Sequence, residues 1–409
     1  MTLLVGSKRN RRVARSASMS ALAKKHQTSF PESKSLNAKR SILTLGAIAG
    51  LSTAALAHAA QTSFDGDHAV FFMTNSAQSN EVVSHARNAY GALYRPQRFA
   101  TEGRGSGGKG DPLGSQGSLT LSQDHQWLFA VNAGSGTLSV FHVVDAELIL
   151  TDQVPIGGAE PTAVAQHGNL VYVLDAAGSS SVTGFTFHGG HLAPISNSQQ
   201  FLSGNGANPG ALSFTADGKF LLAVEKTNNT IDVFGVLPDG TLSSIKVNPS
   251  AGPGAFSVIG AANDTVLVSE TGSGGNTSAI SSYHVQPDGT LTTLSASVPT
   301  LGAANCWNAI TPDGRFVYVS NAGSSTISGF AVGATGTLTA LPGTIVGTNP
   351  AGSGNLDIAV SADGKFLYTL NSAGGSLGVF AINPDGSLTN LGTVGGLPAG
   401  SSLNGIAAN

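Results

Sequence analysis

Glu225 ends the apolar run FLLAVE and is followed at once by Lys226; Glu270 ends the matching run TVLVSE 45 residues later. A carboxylate pair near an ammonium can work as general base and electrostatic clamp, the base taking a proton while the cation holds an anion. Elsewhere the same position carries Asn75, Asn132, Asp175, Asn321 and Asn371. Asn and Asp are ordinary there, because their short side chains bond local backbone at turns. Glu is a poor turn residue. Glu225 and Glu270 are therefore the candidate catalytic bases, with Lys226 as a substrate anchor; a solvated charge cluster is the alternative.

Other residues could join them. Gln116, Thr162, Phe256, Cys306, Trp307 and Asp357 each open an apolar stretch that precedes one of these runs. Cys306-Trp307 could offer a thiol beside a stacking platform, although a free Cys is more often a small buried hydrophobe. The stretch GRGSGGKGD (103–111) has phosphate-loop spacing at Gly103, Gly108 and Lys109. Gly110 stands where Ser or Thr would hold magnesium, and no helix follows, so nucleotide binding is not expected. A mobile loop over a ligand site is the expectation, with Glu102, Arg104 and Lys109 near an anionic ligand. The histidines lack metal-ligand spacing, and no metal or other cofactor is expected.

These residues need elements to place them. TPDGRFVYVSNAGSSTISGF (311–330) recurs without a gap as SQDHQWLFAVNAGSGTLSVF (122–141), TADGKFLLAVEKTNNTIDVF (215–234) and SADGKFLYTLNSAGGSLGVF (361–380). The run-ending position occurs seven times, from Asn75 to Asn371. After each comes a second turn, such as LPDGTL (237–242) or NPDGSL (383–388), with hairpin chemistry. Period-2 alternation marks about four short strands per unit, and no segment after residue 61 sustains a helical period. Seven such units predict an all-β, seven-bladed β-propeller of four-stranded antiparallel blades. HAVFFMTN (68–75) enters as a second strand and LNGIAAN (403–409) leaves as a first, so pairing the two would close the ring. The run-ending residues would then ring the mouth of the central channel, with Asn132 and Asn321 among the substrate-binding candidates.

The unit PDGRFVYVSN with NPDGSL resembles the seven-bladed lactonase propellers, the family of bacterial 6-phosphogluconolactonase and fungal carboxymuconate cyclase. The resemblance extends over residues 65–409. It implies hydrolysis or formation of a lactone at the channel mouth, without a required metal. The histidine that the family usually carries before its first such turn is missing from DPLGSQGSL (111–119). On this reading Glu225 or Glu270 is the base, and Arg104, Lys226, Gln116, Asn132, Asn321 and Trp307 bind substrate. The alternative is a non-catalytic propeller that binds a small ligand or partner protein on the same face.

Ten of the twenty Lys and Arg lie in the first forty residues, where Glu32 is the only acid. The remainder holds ten basic and twenty-two acidic residues, a balance of −12 that disfavours nucleic acid and anionic lipid as partners. The basic start leads into SILTLGAIAGLSTAAL (41–56) and AHAAQ (57–61), the pattern of an export signal cut after Ala59 or Ala60. Met19 is a second possible start. Residues 1–60 are thus expected to be the export segment and 61–409 the propeller, periplasmic or secreted, off the membrane once cut, and monomeric. With Cys306 as the single cysteine there is no internal disulfide to help the core.

Overall fold

The computed structural model describes residues 68–204 and 206–409. The expected export segment and cleavage point lie outside the described residues. Among those described, the regular elements are all strands, grouped in seven antiparallel sheets around one axis. The expected seven-bladed propeller is the fold.

The innermost strands are Asn404–Ala408, Leu119–Leu121, Pro161–His167, Pro209–Phe214, Ala255–Ala261, Asn305–Ile310 and Asn355–Val360, numbered here as blades one to seven. Each is followed outward by the apolar runs recognised in the sequence, such as Trp127–Asn132 in blade two and Phe316–Asn321 in blade six. A strand in the middle of a blade is covered on both faces by the neighbouring blades. It therefore reads as a continuous apolar run instead of alternating. Leu128, Phe129, Ala130 and Val131 are accordingly all fully buried. Outer strands face solvent, as the mostly exposed Leu388–Val394 illustrates.

The repeated turn has a local cause. Ser122, Thr215, Thr311 and Ser361 each donate a hydroxyl to the aspartate two residues on, at 2.5–2.8 Å. The same hydroxyls accept the backbone N–H that opens the second strand, from Trp127, Phe220, Phe316 and Phe366. This face, where first strands turn into second strands, is the lower face. The face carrying the run-ending residues is the upper one. Blades are also stapled together: Tyr172 donates to Gly240 of the next blade at 2.6 Å, and Tyr318 to Gly386 at 2.8 Å.

Closure occurs where the sequence placed it. Asn404–Ala408 pairs antiparallel with His68–Met73, Phe71 opposite Ala407 and Val70 opposite Ala408. The third blade departs from the four-strand expectation: its outer strand is interrupted, and both His191–Pro194 and Gln200–Phe201 pair with Ser181–His188.

Candidate functional site

The run-ending residues do not line the channel. They sit at the upper ends of second strands, one strand away from the axis, and all are buried. Asn132 donates to Thr137 and Ser139 and accepts from Asn80 and Thr101. Asn321 donates to Thr326 and Ser328. Asp175 accepts the N–H groups of Ala159, Glu160 and Ala177. Each ties the second strand to the third or to the loop arriving from the preceding blade.

Glu225 and Glu270 belong to the same series, and the expectation of solvated bases at the mouth is corrected accordingly. Both are fully buried. Glu270 accepts from Gly252 N at 2.8 Å and from the hydroxyls of Ser250, Ser281 and Ser297 at 3.2, 2.6 and 2.7 Å. Glu225 accepts from Ser203 Oγ, Gly204 N, Thr230 Oγ1 and Asn228 Nδ2. A β-carbon on Gly252 would collide with the Glu270 carboxylate, so the pairing of a loop glycine with a long acceptor is a matter of space. Burial pushes Asp232 up to about 7, reinforced by the neighbouring Glu225 carboxylate. Burial also acts to raise Glu225, but hydrogen bonds from Asp232, Asn228, Ser203 and Gly204 outweigh it and hold Glu225 low. Within this pair in blade four, Asp232 is the carboxyl that holds a proton more readily.

Lys226 joins neither glutamate. Its ammonium donates to the carbonyl of Gly114 and lies 4.8 Å above the Phe256 ring. Gly114 belongs to the long connection from blade one to blade two, which crosses the upper mouth as a cap. Ser115 accepts Trp307 Nε1 of blade six at 3.0 Å and donates its hydroxyl to Thr162 of blade three. Gln116 gives its N–H to Gly210 of blade four, while its side chain pairs with both backbone groups of Asn308 in blade six, at 2.6 and 3.2 Å. Bonds from one short segment to blades three, four and six are possible only across the axis.

The cap is anchored instead of mobile. Gly105 and Gly107 donate to Ser76 and Asn75, and Gly134 donates back to Arg104. The glycines of GRGSGGKGD serve close approach: a β-carbon on Gly105 would overlap the Asn75 backbone, and one on Gly103 the Asn132 side chain. Arg104 is exposed and reaches only Gly134 of blade two, and Glu102 and Lys109 are exposed on the cap. The structure therefore does not bring Arg104 together with Lys226.

It brings Asp111 there instead. This carboxylate accepts from Gly114 N and Asn404 Nδ2, both at 2.9 Å, and interacts electrostatically with Lys226. Burial lifts it to about 6, against the lowering effect of Gly114, Lys226 and Asn404. Burial lowers Lys226, partly offset by Asp111 and Cys306. Asp357, in the channel wall beyond, accepts from Ile358 N and Ile406 N and is pushed by burial up to about 8. Burial also raises the Cys306 thiol, which is then neutral and unlike a reactive thiolate. Trp307 is 1% exposed and packs edge-on against Phe256 at 5.1 Å, so it supports the Lys226 bed and offers no open stacking face. Lys226, Gln116 and Trp307 are thus gathered at the axis, whereas Arg104, Asn132, Asn321, Glu225 and Glu270 are not. Among the described residues no group of His, Cys, Asp and Glu is arranged to hold a metal ion.

The architecture is shared with known proteins. Residues 256–352, covering blades five and six, match the family model of the lactonase, 7-bladed beta-propeller. A candidate 6-phosphogluconolactonase of Bacteroides uniformis ATCC 8492 is 21% identical, with 83% of this chain and 99% of that one aligned at a TM-score of 0.63. A second, of Bacteroides fragilis NCTC 9343, is 19% identical over 85% and 99%, also at 0.63. The periplasmic gluconolactonase PpgL of Pseudomonas aeruginosa is 20% identical over 82% and 98%, at 0.60. At these identities the likeness is one of fold. No curated protein matches the chain.

Proposed function

We propose that this chain, a seven-bladed propeller of the lactonase type, opens or closes a small anionic lactone at the upper mouth of its channel. The observation that carries the proposal is the approach of Lys226 of blade four and Asp111 of the cap at the axis, a cation and a half-buried carboxylate that interact electrostatically. In hydrolysis Asp111 would take the proton of a water attacking the lactone carbonyl, and Asn404 would orient that carboxylate. The ring C–O bond would then break and the departing oxygen recover the proton. Lys226, released from Gly114, would hold the substrate's carboxylate or phosphate.

The export expected from residues 1–60 favours a lactone that carries a carboxylate instead of a phosphate for Lys226, since phosphorylated sugar lactones are cytosolic metabolites. The likeness to a periplasmic gluconolactonase supports the same location. A second reading, a binding propeller without turnover, is favoured by the cap bonds that occupy Gly114 and Ser115. Turnover of a lactone panel by purified protein separates the two. Asp111→Asn should lower kcat by about 10²–10⁴, and Lys226→Met should chiefly raise KM for anionic substrates. Wild-type rates in both variants would remove the axial pair from the chemistry. N-terminal sequencing of exported protein tests the location: a chain beginning near Gln61 supports it, and an intact start at Met1 or Met19 overturns it.

A further inference from the structure

Below the Gln116 strut, a separate cavity of about 450 Å³ runs down the axis and opens on the lower face. That volume lies within the range of small-molecule pockets. Its chemistry is opposite to that of the upper mouth. The walls come from innermost strands and carry mostly apolar residues, Leu121, Phe214, Ile310 and Val360 among them, with Thr120 and Ser213 between. Gln123, His125, Gln166 and His167 form a polar rim at the lower opening. The inner end holds Gln116, Asn308 and Asp357. No Lys or Arg lines the cavity, and Asp357 is its one carboxyl.

Asp357 is 3% exposed and bridges two innermost strands: Oδ1 accepts Ile358 N at 2.8 Å, and Oδ2 accepts Ile406 N of blade one at 3.2 Å. Both oxygens are thereby fixed as acceptors, and each retains a lone pair for another donor. No cation pairs with this group among the described residues. A buried carboxyl without a countercharge is costly to ionise, and a bound cation would relieve that cost. The inner end therefore offers one carboxyl without a basic partner, whereas the approach to it is apolar.

We propose that this lower axial cavity binds a small aliphatic ammonium compound, its alkyl body against the strand walls and its ammonium on Asp357. The site is distinct from the lactone site, because neither Lys226 nor Asp111 lines this cavity. Carboxylates find no Lys or Arg in the lining to pair with, and neutral alcohols gain the wall contacts without the ion pair.

Calorimetric titration of the purified protein with hexylammonium, hexanol and hexanoate tests this. Hexylammonium should bind at least tenfold more tightly than hexanol, and hexanoate should not bind. Asp357→Asn should weaken hexylammonium tenfold or more and bring it level with hexanol. Ala309→Leu, which narrows the cavity without touching Asp357, should weaken both ligands and so covers the case in which Asp357→Asn does not fold. Lys226→Met, which removes the cation of the upper site, should leave hexylammonium binding unchanged. Absence of any binding, equal binding of hexanol, or undiminished binding in Asp357→Asn or Ala309→Leu overturns the proposal.

Discussion

At the scale of single residues, an acceptor position tolerates different side chains if each satisfies the same donors. Glu270 gathers one backbone N–H and three hydroxyls. Glu270→Ala should therefore destabilise the fold by about 2–4 kcal/mol, since Gly252 N–H is left buried without a partner. Glu270→Gln should cost far less. Its amide oxygen can keep Gly252, and its NH₂ can donate to Ser297, whose hydroxyl rotates to accept. Denaturant midpoints of the two variants decide this; equal losses would mean that the negative charge itself is required. The Glu225–Asp232 pair adds a pH dependence. Asp232 is raised in the folded state, by burial and then by Glu225, so its contribution is full below the unfolded carboxyl pKa and is lost as pH rises through about 7. Asp232→Asn supplies the protonated form's donor permanently. Relative to wild type the variant should gain on the order of 1–3 kcal/mol between pH 4 and 7.5. Thermal unfolding at several pH values checks this, and parallel pH profiles would remove the Asp232 proton from the account. Asp111 and Asp357 are present in both proteins and cancel in that difference.

At the scale of elements, the strands were legible and the cap was not. Runs such as LFAVN and LLAVE carry their burial in their composition, and the Ser/Thr-x-Asp turn repeats its own hydrogen bonds. The environment of the residue ending each run depends instead on a loop from another blade. Turn chemistry thus explained Asp175, which accepts Ala177 N–H, but not Asn132 and Asn321, whose partners are side chains, and it suggested exposure for Glu225 and Glu270. A readable signal of burial did exist, because a glycine in the loop feeding each blade faces the run-ending residue, at Glu225 and Glu270 as at Asn132, Asp175 and Asn321. Asp111 had no such signal. It stands in a glycine-rich connection whose path across the axis is set by Gln116, Ser115 and Gly105 meeting partners from blades far apart in sequence. The cap is testable as an element. Trp307→Phe keeps the packing on Phe256 and loses the hydrogen bond to Ser115. Stability should fall by only about 1 kcal/mol, while hydrogen exchange over residues 114–117 speeds up at least tenfold. Unchanged exchange there would mean that the other cap bonds suffice.

At the scale of the whole molecule, the ring is held by its last strand and by one buried cation. Arg87 is 1% exposed, donates to Asp363 of blade seven and to the Asn409 carbonyl, both at 3.2 Å, and lies 5.0 Å from the Phe366 ring centre. It thus ties blade one to blade seven on both sides of the closing seam. Asp363 keeps Ser361, Lys365 N and the Lys365 ammonium if Arg87 is removed, so Arg87→Met should cost only about 1–3 kcal/mol. Deleting residues 403–409 is a different kind of change. It strips His68–Met73 of its inner partner, takes Asn404 from Asp111 and Ile406 N–H from Asp357, and opens a sheet edge that other chains can pair with. The deletion should therefore lower the melting temperature far more than Arg87→Met does and should produce oligomers in light scattering. A deletion variant that stays monomeric and melts no lower than Arg87→Met would mean that the seam is held by Arg87 and blade packing, with the last strand contributing little.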